Sequence, residues 1–247
     1  MHHPSTHERL AAVAEDQWGL ITRRQLQQGG IPPTTLDRLT SRGSMLERVA
    51  SGVYRLTGVP IPDHLDLRAA WLQLAPGIPT WERTAVQGAV SHKSAASLYR
   101  LGHLPADQHE FTLPTRHQSR RPDVRLSIRR LEPGESVVLT GMPVTRPSRI
   151  ASDLLYDREG PDAVARIVVD AIRGVYDYPG AFVDALAPHA VRFGLRRGDG
   201  LDLLRWLLDL VGDRNSDEWI QEARERVART SKEDYGRQPA PSKKRRA

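Results

Sequence analysis

Cysteine is absent from the 247 residues, and lysine nearly so. The first absence excludes a disulfide framework, a thiolate-held zinc or iron–sulfur site and a cysteine nucleophile. Lysine occurs at Lys93, Lys232, Lys243 and Lys244 alone, so 32 of the 36 basic side chains are arginines. Arginine suits bidentate contacts to phosphate and carboxylate, and a GC-rich genome produces the same skew. No apolar run approaches the ~18 residues of a membrane-spanning helix. The start, Met1 to Glu8, has no apolar stretch of a secretory signal. Charged residues at 27% and hydrophobic residues at 39% are the proportions of a globular protein. A soluble, cytoplasmic protein of two compact domains or one large one is expected.

Catalytic vocabulary is scarce too. There is no Walker loop, no Gly-x-Ser-x-Gly elbow and no His-Glu-x-x-His, and the nine histidines show no metal-ligand spacing. Gly43-Ser44 is not followed by the paired aspartates of a nucleotidyltransferase. Lys93 and Lys232 follow no carboxylate in the pattern of a two-metal nuclease. Asp199 and Asp202 read as a helix start. No enzyme, no metal site and no cofactor are expected.

What is present is an uneven charge. The net of +6 divides into +2 for residues 1–60, +2 for 61–159, −2 for 160–229 and +4 for 230–247. The acidic 160–229 segment is a poor candidate for touching nucleic acid. The last stretch, Thr230 to Ala247, lacks apolar periodicity and is expected to be a basic disordered tail. Its Lys243-Lys244-Arg245-Arg246 run either adds non-specific phosphate affinity or is simply a solvated end.

Apolar spacing predicts a helix over 7–17, with Gly19 as its stop. Thr22 is expected to cap a short helix over Arg23–Gln28. Pro32 and Pro33 open a third helix, as proline suits a first turn, and Leu36 and Leu39 form its apolar stripe. Met45–Val49 and Val53–Leu56 read as strands joined through Gly52. Two helices, a short turn, a third helix and a hairpin make a winged helix-turn-helix over residues 1–58. Such a third helix can enter a major groove. Its polar side carries Thr34, Thr35, Arg38, Ser41 and Arg42. Arg48 and Arg55 lie on the hairpin, and Arg23 and Arg24 begin the second helix. These nine residues are the candidate DNA-binding set.

The Gly58–Pro62 linker precedes a second domain over 63–229. There, Asp63 is expected to cap a helix ending at Pro76-Gly77, and Ser91 one through Leu101. Short strands follow at His109–Leu113, Asp123–Arg129, Ser136–Thr140 and Met142–Val144. Thr145 is expected to cap a further helix. From residue 160 everything reads as helical, with segments near 179–193, 200–211 and 217–229. The fold class is α+β: a winged helix-turn-helix, then a mixed domain with a small sheet and a helical C-terminal part. The densest basic region holds Arg116, Arg120, Arg121, Arg125 and Arg129. It is either a second surface for phosphate or an acidic partner, or a charged outer strand face that discourages pairing.

Several segments, in order, resemble the AbiEi antitoxin family. They are Trp18–Leu26, Gly30–Leu39, Arg42-Gly43 and Ser51–Leu56, then Ala89–Leu98, Pro114–Pro122 and Gly141–Leu155. The likeness covers roughly residues 8–156. Pro32, Pro33 and Asp37 depart from it, standing where the family usually has a small polar cap and basic character. The resemblance implies a bacterial antitoxin of a toxin–antitoxin or abortive-infection module, with an AbiEi-type C-terminal domain. Its winged helix would bind double-stranded DNA at inverted repeats of its own promoter and repress the operon, with a homodimer on DNA. Its remaining part would counter a nucleotidyltransferase-like toxin, by direct contact or indirectly. The alternatives are a winged-helix regulator without a toxin partner and a DNA-targeted nuclease. Neither reading involves a membrane.

Overall fold

The computed structural model describes residues 6–41, 45–119 and 121–236. The chain forms two compact units. One holds the chain up to Tyr99 together with Pro105–Thr145; the other holds Arg100–Leu104 and the chain from Arg146 onward.

The first unit opens with α1 (Thr6–Glu15), β1 (Leu20–Thr22), α2 (Arg23–Gln28), α3 (Pro33–Leu39), β2 (Leu46–Ala50) and β3 (Val53–Leu56). The strands form a small antiparallel sheet with β3 in the centre. Gly52 has φ +70° in the β2–β3 turn, a conformation open to glycine at little cost. Alternation along β1 gives the sheet two different faces. Ile21 joins Leu10, Ala14, Leu26, Ile31, Leu36, Leu39, Leu46, Tyr54 and Leu56 in a core shared with α1–α3. Leu20 and Val53 face the other way and pack with Ala69 and Leu72 of α4 (Leu65–Leu74). Residues 20–22 are uniformly buried. A three-residue run without polar alternation gives the sequence no strand signal.

α4 also serves a second sheet. This sheet has the order β6-β5-β4-β8-β7, built from β4 (Ala89–Val90), β5 (His109–Leu113), β6 (Val124–Ile128), β7 (Ser136–Leu139) and β8 (Met142–Thr145). The β4–β8 and β5–β6 pairs are parallel, and β4–β5 and β7–β8 antiparallel. The helix α5 (His92–Tyr99) packs on β5. Trp71 of α4 is fully buried and stacks on Phe111 of β5, ring centroids 5.9 Å apart. One helix therefore lies between the winged helix and the larger sheet. The sequence placed a domain boundary in the 58–62 linker; the compact division falls at Thr145/Arg146 instead. The reason is that α4, just past the linker, completes the core beneath β1 and β3.

A buried arginine finishes α4. Arg83 is 4% exposed. Its guanidinium donates to the carbonyls of Trp71, Leu72 (3.1 Å) and Ala75 (2.6 Å), and Nε donates to Ile78 (2.9 Å). These include carbonyls that a helix end leaves unpaired, and the positive charge meets the negative end of the helix dipole. Desolvation pulls the Arg83 pKa down to about 10, so the group remains cationic at neutral pH.

The second unit is helical: α6 (Pro147–Tyr156), α7 (Pro161–Arg173), α8 (Pro179–Leu186), a 3₁₀ segment (Ala187–Phe193), α9 (Gly200–Val211) and α10 (Ser216–Gly236). α8 and α9 approach closely at Gly200, where a Cβ would fall 1.9 Å from the Val183 carbonyl oxygen. Buried Asp177 accepts from the Ser148 amide at 3.1 Å, which fixes the start of α6. Asp170 of α7 accepts from the Gly102 amide at 2.8 Å.

Several boundaries differ from the expected ones for local reasons. α4 begins after His64, at φ +55°, and Asp63 contributes its carbonyl to Arg68 rather than a side-chain cap. α5 ends at Tyr99 because Arg100 adopts φ +59°. Thr145 lies in β8; Arg146 is the cap, since Pro147 occupies the first helical position. The expected 179–193 helix becomes a 3₁₀ segment from Ala187, where Pro188 interrupts it. α10 continues seven residues past the expected 229, to Gly236, the first breaker it meets. The terminal Lys243–Arg246 run lies outside the described residues. Asp199 does cap α9, accepting from the Asp202 amide at 3.1 Å.

Replacing Arg83 by Met leaves several buried carbonyls without a donor. The expected cost is about 3 kcal/mol of unfolding free energy, read as a lowered urea midpoint.

Candidate nucleic-acid interface

The helix-turn-helix is positioned by its own polar side chains. Thr22 and Gln25 form a capping box at the start of α2. The Gln25 amide N–H donates to Thr22 Oγ1 at 3.1 Å, and the Thr22 N–H donates to Gln25 Oε1 at 2.9 Å. Gln25 also makes a reciprocal amide pair with Gln17. Gln17 Nε2 donates to Gln25 Oε1 at 3.0 Å, and Gln25 Nε2 donates to Gln17 Oε1 at 2.9 Å. Gln17 further donates to the Leu20 carbonyl and accepts from the Thr80 amide at 3.2 Å. The Thr22 hydroxyl donates to the Pro76 carbonyl. The end of α1, the start of α2 and the loop after α4 are thus joined in one hydrogen-bonded group.

α2 leads through Gly29, Gly30 and Ile31 into α3. Leu36 and Leu39 are buried, which fixes the rotation of α3 about its axis. Thr34, Asp37, Arg38 and Ser41 then fall at helical spacing on one exposed stripe, with Thr35 half-buried beside it. The Ser41 hydroxyl donates to the Arg38 carbonyl at 2.8 Å. Arg42 lies outside the described residues. Asp37 and Arg38 offset each other, so the described part of the stripe carries no net charge.

The cations sit elsewhere. Arg23 and Arg24 are exposed at the start of α2. They line a 410 Å³ cleft with Gln27, the hairpin tip Ser51–Val53, and Gln73 and Pro76. The tip is held at both carbonyls: Gly52 accepts from the Arg23 N–H at 2.8 Å, and Ser51 accepts from Gln73 Nε2 at 2.7 Å. The hairpin is therefore docked against α2 and α4. Arg48 is exposed on the edge strand β2. Arg55 is 13% exposed and committed within the fold, to Glu47 at 2.5 Å and the Val59 carbonyl at 2.5 Å. The structure thus brings Arg23 and Arg24 to the hairpin tip and sets Thr34, Arg38 and Ser41 on one face, while Arg55 faces its own neighbours.

The second basic region is largely paired. Arg121 makes a bidentate contact to Asp123 and donates to Gln73 Oε1 at 2.7 Å. Arg125 meets buried Glu110 at 3.1 Å. Arg129 is half-buried, and Arg116 is exposed in the β5–β6 loop. Arg120 lies outside the described residues. The hydrogen bond from Arg121 holds the Asp123 carboxyl down at about 2. His109 lies 3.7 Å from Asp123, and its pKa is lowered by burial and then by the Arg121 charge.

Gln17, Gln25 and Gln73 carry the positioning of this face. Gln25 was findable, because Thr22-x-x-Gln25 is a capping-box pattern. Gln17 and Gln73 meet partners far along the chain and have no sequence signature. Among the described residues, no three His, Asp or Glu side chains are grouped to hold a metal ion. No described helix is long and apolar enough to cross a membrane.

A three-helix core with a docked β-hairpin, and an exposed polar stripe on its third helix, defines a winged helix-turn-helix. Residues 8–57 match the family described as "Transcriptional regulator, AbiEi antitoxin". The crystal structure of the RV2827C protein from Mycobacterium tuberculosis is similar, with a TM-score of 0.51 at 16% identity, over 90% of this chain and 82% of that one. That likeness is one of fold. No curated protein sequence matches the chain.

Two predictions follow the side chains. Replacing Gln17 by Leu strands the Gln25 amide and the Thr80 N–H in the interior, at an expected cost of about 2 kcal/mol by urea unfolding. Acid acts at the β5–β6 edge. The lowered His109 pKa means that folding disfavours its proton, so stability falls as pH drops below 6.5, the unfolded value. The lowered Asp123 pKa contributes stability that is complete above 3.8 and lost as pH falls through about 2. His109→Gln is expected to flatten the first limb of a plot of urea midpoint against pH, and Asp123→Asn the second.

Proposed function

We propose that the protein is a bacterial antitoxin that binds double-stranded DNA at its own promoter and represses the operon. The match of residues 8–57 to the AbiEi antitoxin regulators carries this reading. The exposed stripe of α3 supports it: Thr34, Arg38 and Ser41 offer the hydroxyl and guanidinium groups that read base edges in a major groove. Arg23, Arg24 and Arg48 supply phosphate contacts that fix the register. One such domain reads one half-site, so two protomers occupy an inverted repeat. The rest of the chain counters a nucleotidyltransferase-like toxin. The site of action is the cytoplasm, and the role is regulatory rather than enzymatic.

The test is fluorescence anisotropy on duplex DNA from upstream of the gene, against a scrambled duplex, with salt varied. Specific binding is expected to survive physiological salt. Arg38→Ala combined with Arg42→Ala should remove the preference for the native duplex, at about 1–3 kcal/mol per lost base contact, with thermal unfolding unchanged. Equal binding to both duplexes by the wild type refutes the reading. Growth rescue on co-expression with the neighbouring gene product tests the antitoxin half.

A further inference from the structure

The cleft at the hairpin tip has fixed walls. The Arg23 N–H donates to the Gly52 carbonyl, Gln73 Nε2 to the Ser51 carbonyl, and the Thr22 hydroxyl to the Pro76 carbonyl. These bonds tie α2, the tip and α4 with its following turn around 410 Å³, a volume in the range of small-molecule sites. The side chains of Arg23, Arg24 and Gln27 are exposed on α2 and have no partner among the described residues. No aspartate or glutamate lines the cleft; Asp123 pairs with Arg121, which is not part of this lining. Opposite the polar groups stand buried Val53 and the ring of Pro76.

Each part of the lining selects a feature of an occupant. Two adjacent guanidinia without a carboxylate suit a phosphate dianion. A primary amide presents a donor and an acceptor side by side, which matches the edge of a nucleobase. The apolar wall accepts the face of a flat ring. The backbone of a duplex supplies the first of these alone, and leaves the Gln27 amide and Val53 without a complement.

We infer that this cleft binds a nucleoside phosphate, and that its occupation competes with DNA. The phosphate takes Arg23 and Arg24, the two cations that the DNA-binding reading above gives to the duplex backbone. Ligand and duplex draw on the same charges, so each weakens the other by the same factor. Promoter occupancy then falls as the nucleotide concentration rises. The competition rests on the DNA-binding reading; the binding site itself does not.

The experiment uses the full chain with the 5′-monophosphates of adenosine, guanosine, cytidine and uridine, and with inorganic phosphate and the bare nucleosides alongside. Calorimetry on the protein without DNA is expected to show a monophosphate binding at physiological salt, more tightly than inorganic phosphate or its nucleoside. Gln27→Ala should weaken it about tenfold, the share of one hydrogen bond, and Arg23→Ala/Arg24→Ala should abolish it. All three side chains are exposed, so the fold is spared. Saturating nucleotide should lower the slope of log K against log salt, for duplex from upstream of the gene, by about 1.8, the share of two phosphates. The arginine variant should show that lower slope with or without nucleotide. If no monophosphate binds, or none binds more tightly than inorganic phosphate, the inference falls and the DNA-binding reading stands. Nucleotide binding left intact in both variants also overturns it, and an unchanged salt slope refutes the competition. Nucleotide binding without preference for the upstream duplex keeps the site and refutes the DNA-binding reading.

Discussion

A pair of buried amides holds the helix-turn-helix in place. Gln17 is fully buried and Gln25 nearly so, and each uses its oxygen and its nitrogen on the other and on backbone. An amide buried without partners costs a large fraction of a small unit's stability, so the pair has few acceptable geometries. That rigidity sets where α2 begins relative to α1. The four-residue link through Gly29 and Ile31 then sets α3. The same oxygen of Gln17 receives the Thr80 amide from beyond α4. The helix-turn-helix and the body of the first unit are therefore registered by one polar group rather than by apolar packing alone, which is tolerant of small slides.

α4 extends that registration. Its Ala69 and Leu72 complete the core under the small sheet, and its Trp71 stacks on the large one. Arg68 lies over the Trp18 ring at 4.3 Å, and both side chains donate to the Thr140 carbonyl at 3.0 Å. Gln73, one helical turn beyond Ala69, holds the hairpin tip. A winged helix on a free linker would settle on DNA independently of its neighbour. Here the helix-turn-helix, hairpin and sheet belong to one compact unit, so the orientation of α3 also fixes that of the sheet's loops.

Much of this was legible in the residues. Thr22, Pro33, Leu36, Leu39 and Gly52 mark caps, stripe and turn by local chemistry, and the third helix and hairpin follow from them. β6 was readable from the strict alternation of Val124, Leu126 and Ile128 with Arg125, Ser127 and Arg129. The central strand β4 was not: at two residues, Ala89–Val90, it has no period to detect, though four others are arranged around it. The candidate cations were less legible than the fold. Arg55 and Arg125 look like surface arginines in sequence, but Glu47 and Glu110 sit across from them in strand pairing, and register is not written in either segment alone. Burial of Arg83 had no local signal, because its acceptors are the carbonyls of a preceding helix end.

The distribution of charge bears on how the proposed recognition divides its labour. The described stripe of α3 is neutral, with Asp37 beside Arg38. A neutral polar helix gains little from the phosphate backbone as such, and Asp37 adds a repulsive element against misplacement. Attraction must then come from side chains off the helix: Arg23 and Arg24 at one end and Arg48 on the edge strand. About three phosphate contacts per protomer give a salt slope near 2.7, modest beside the larger slopes of strongly basic binders. A single protomer would hold non-cognate duplex weakly at physiological salt. Occupancy would then require base contacts and a second protomer together, which makes repression depend on both sequence and protein concentration. For a regulator whose own level sets its operon's output, weak backbone attraction sharpens that dependence, because the protein is not sequestered on the rest of the genome.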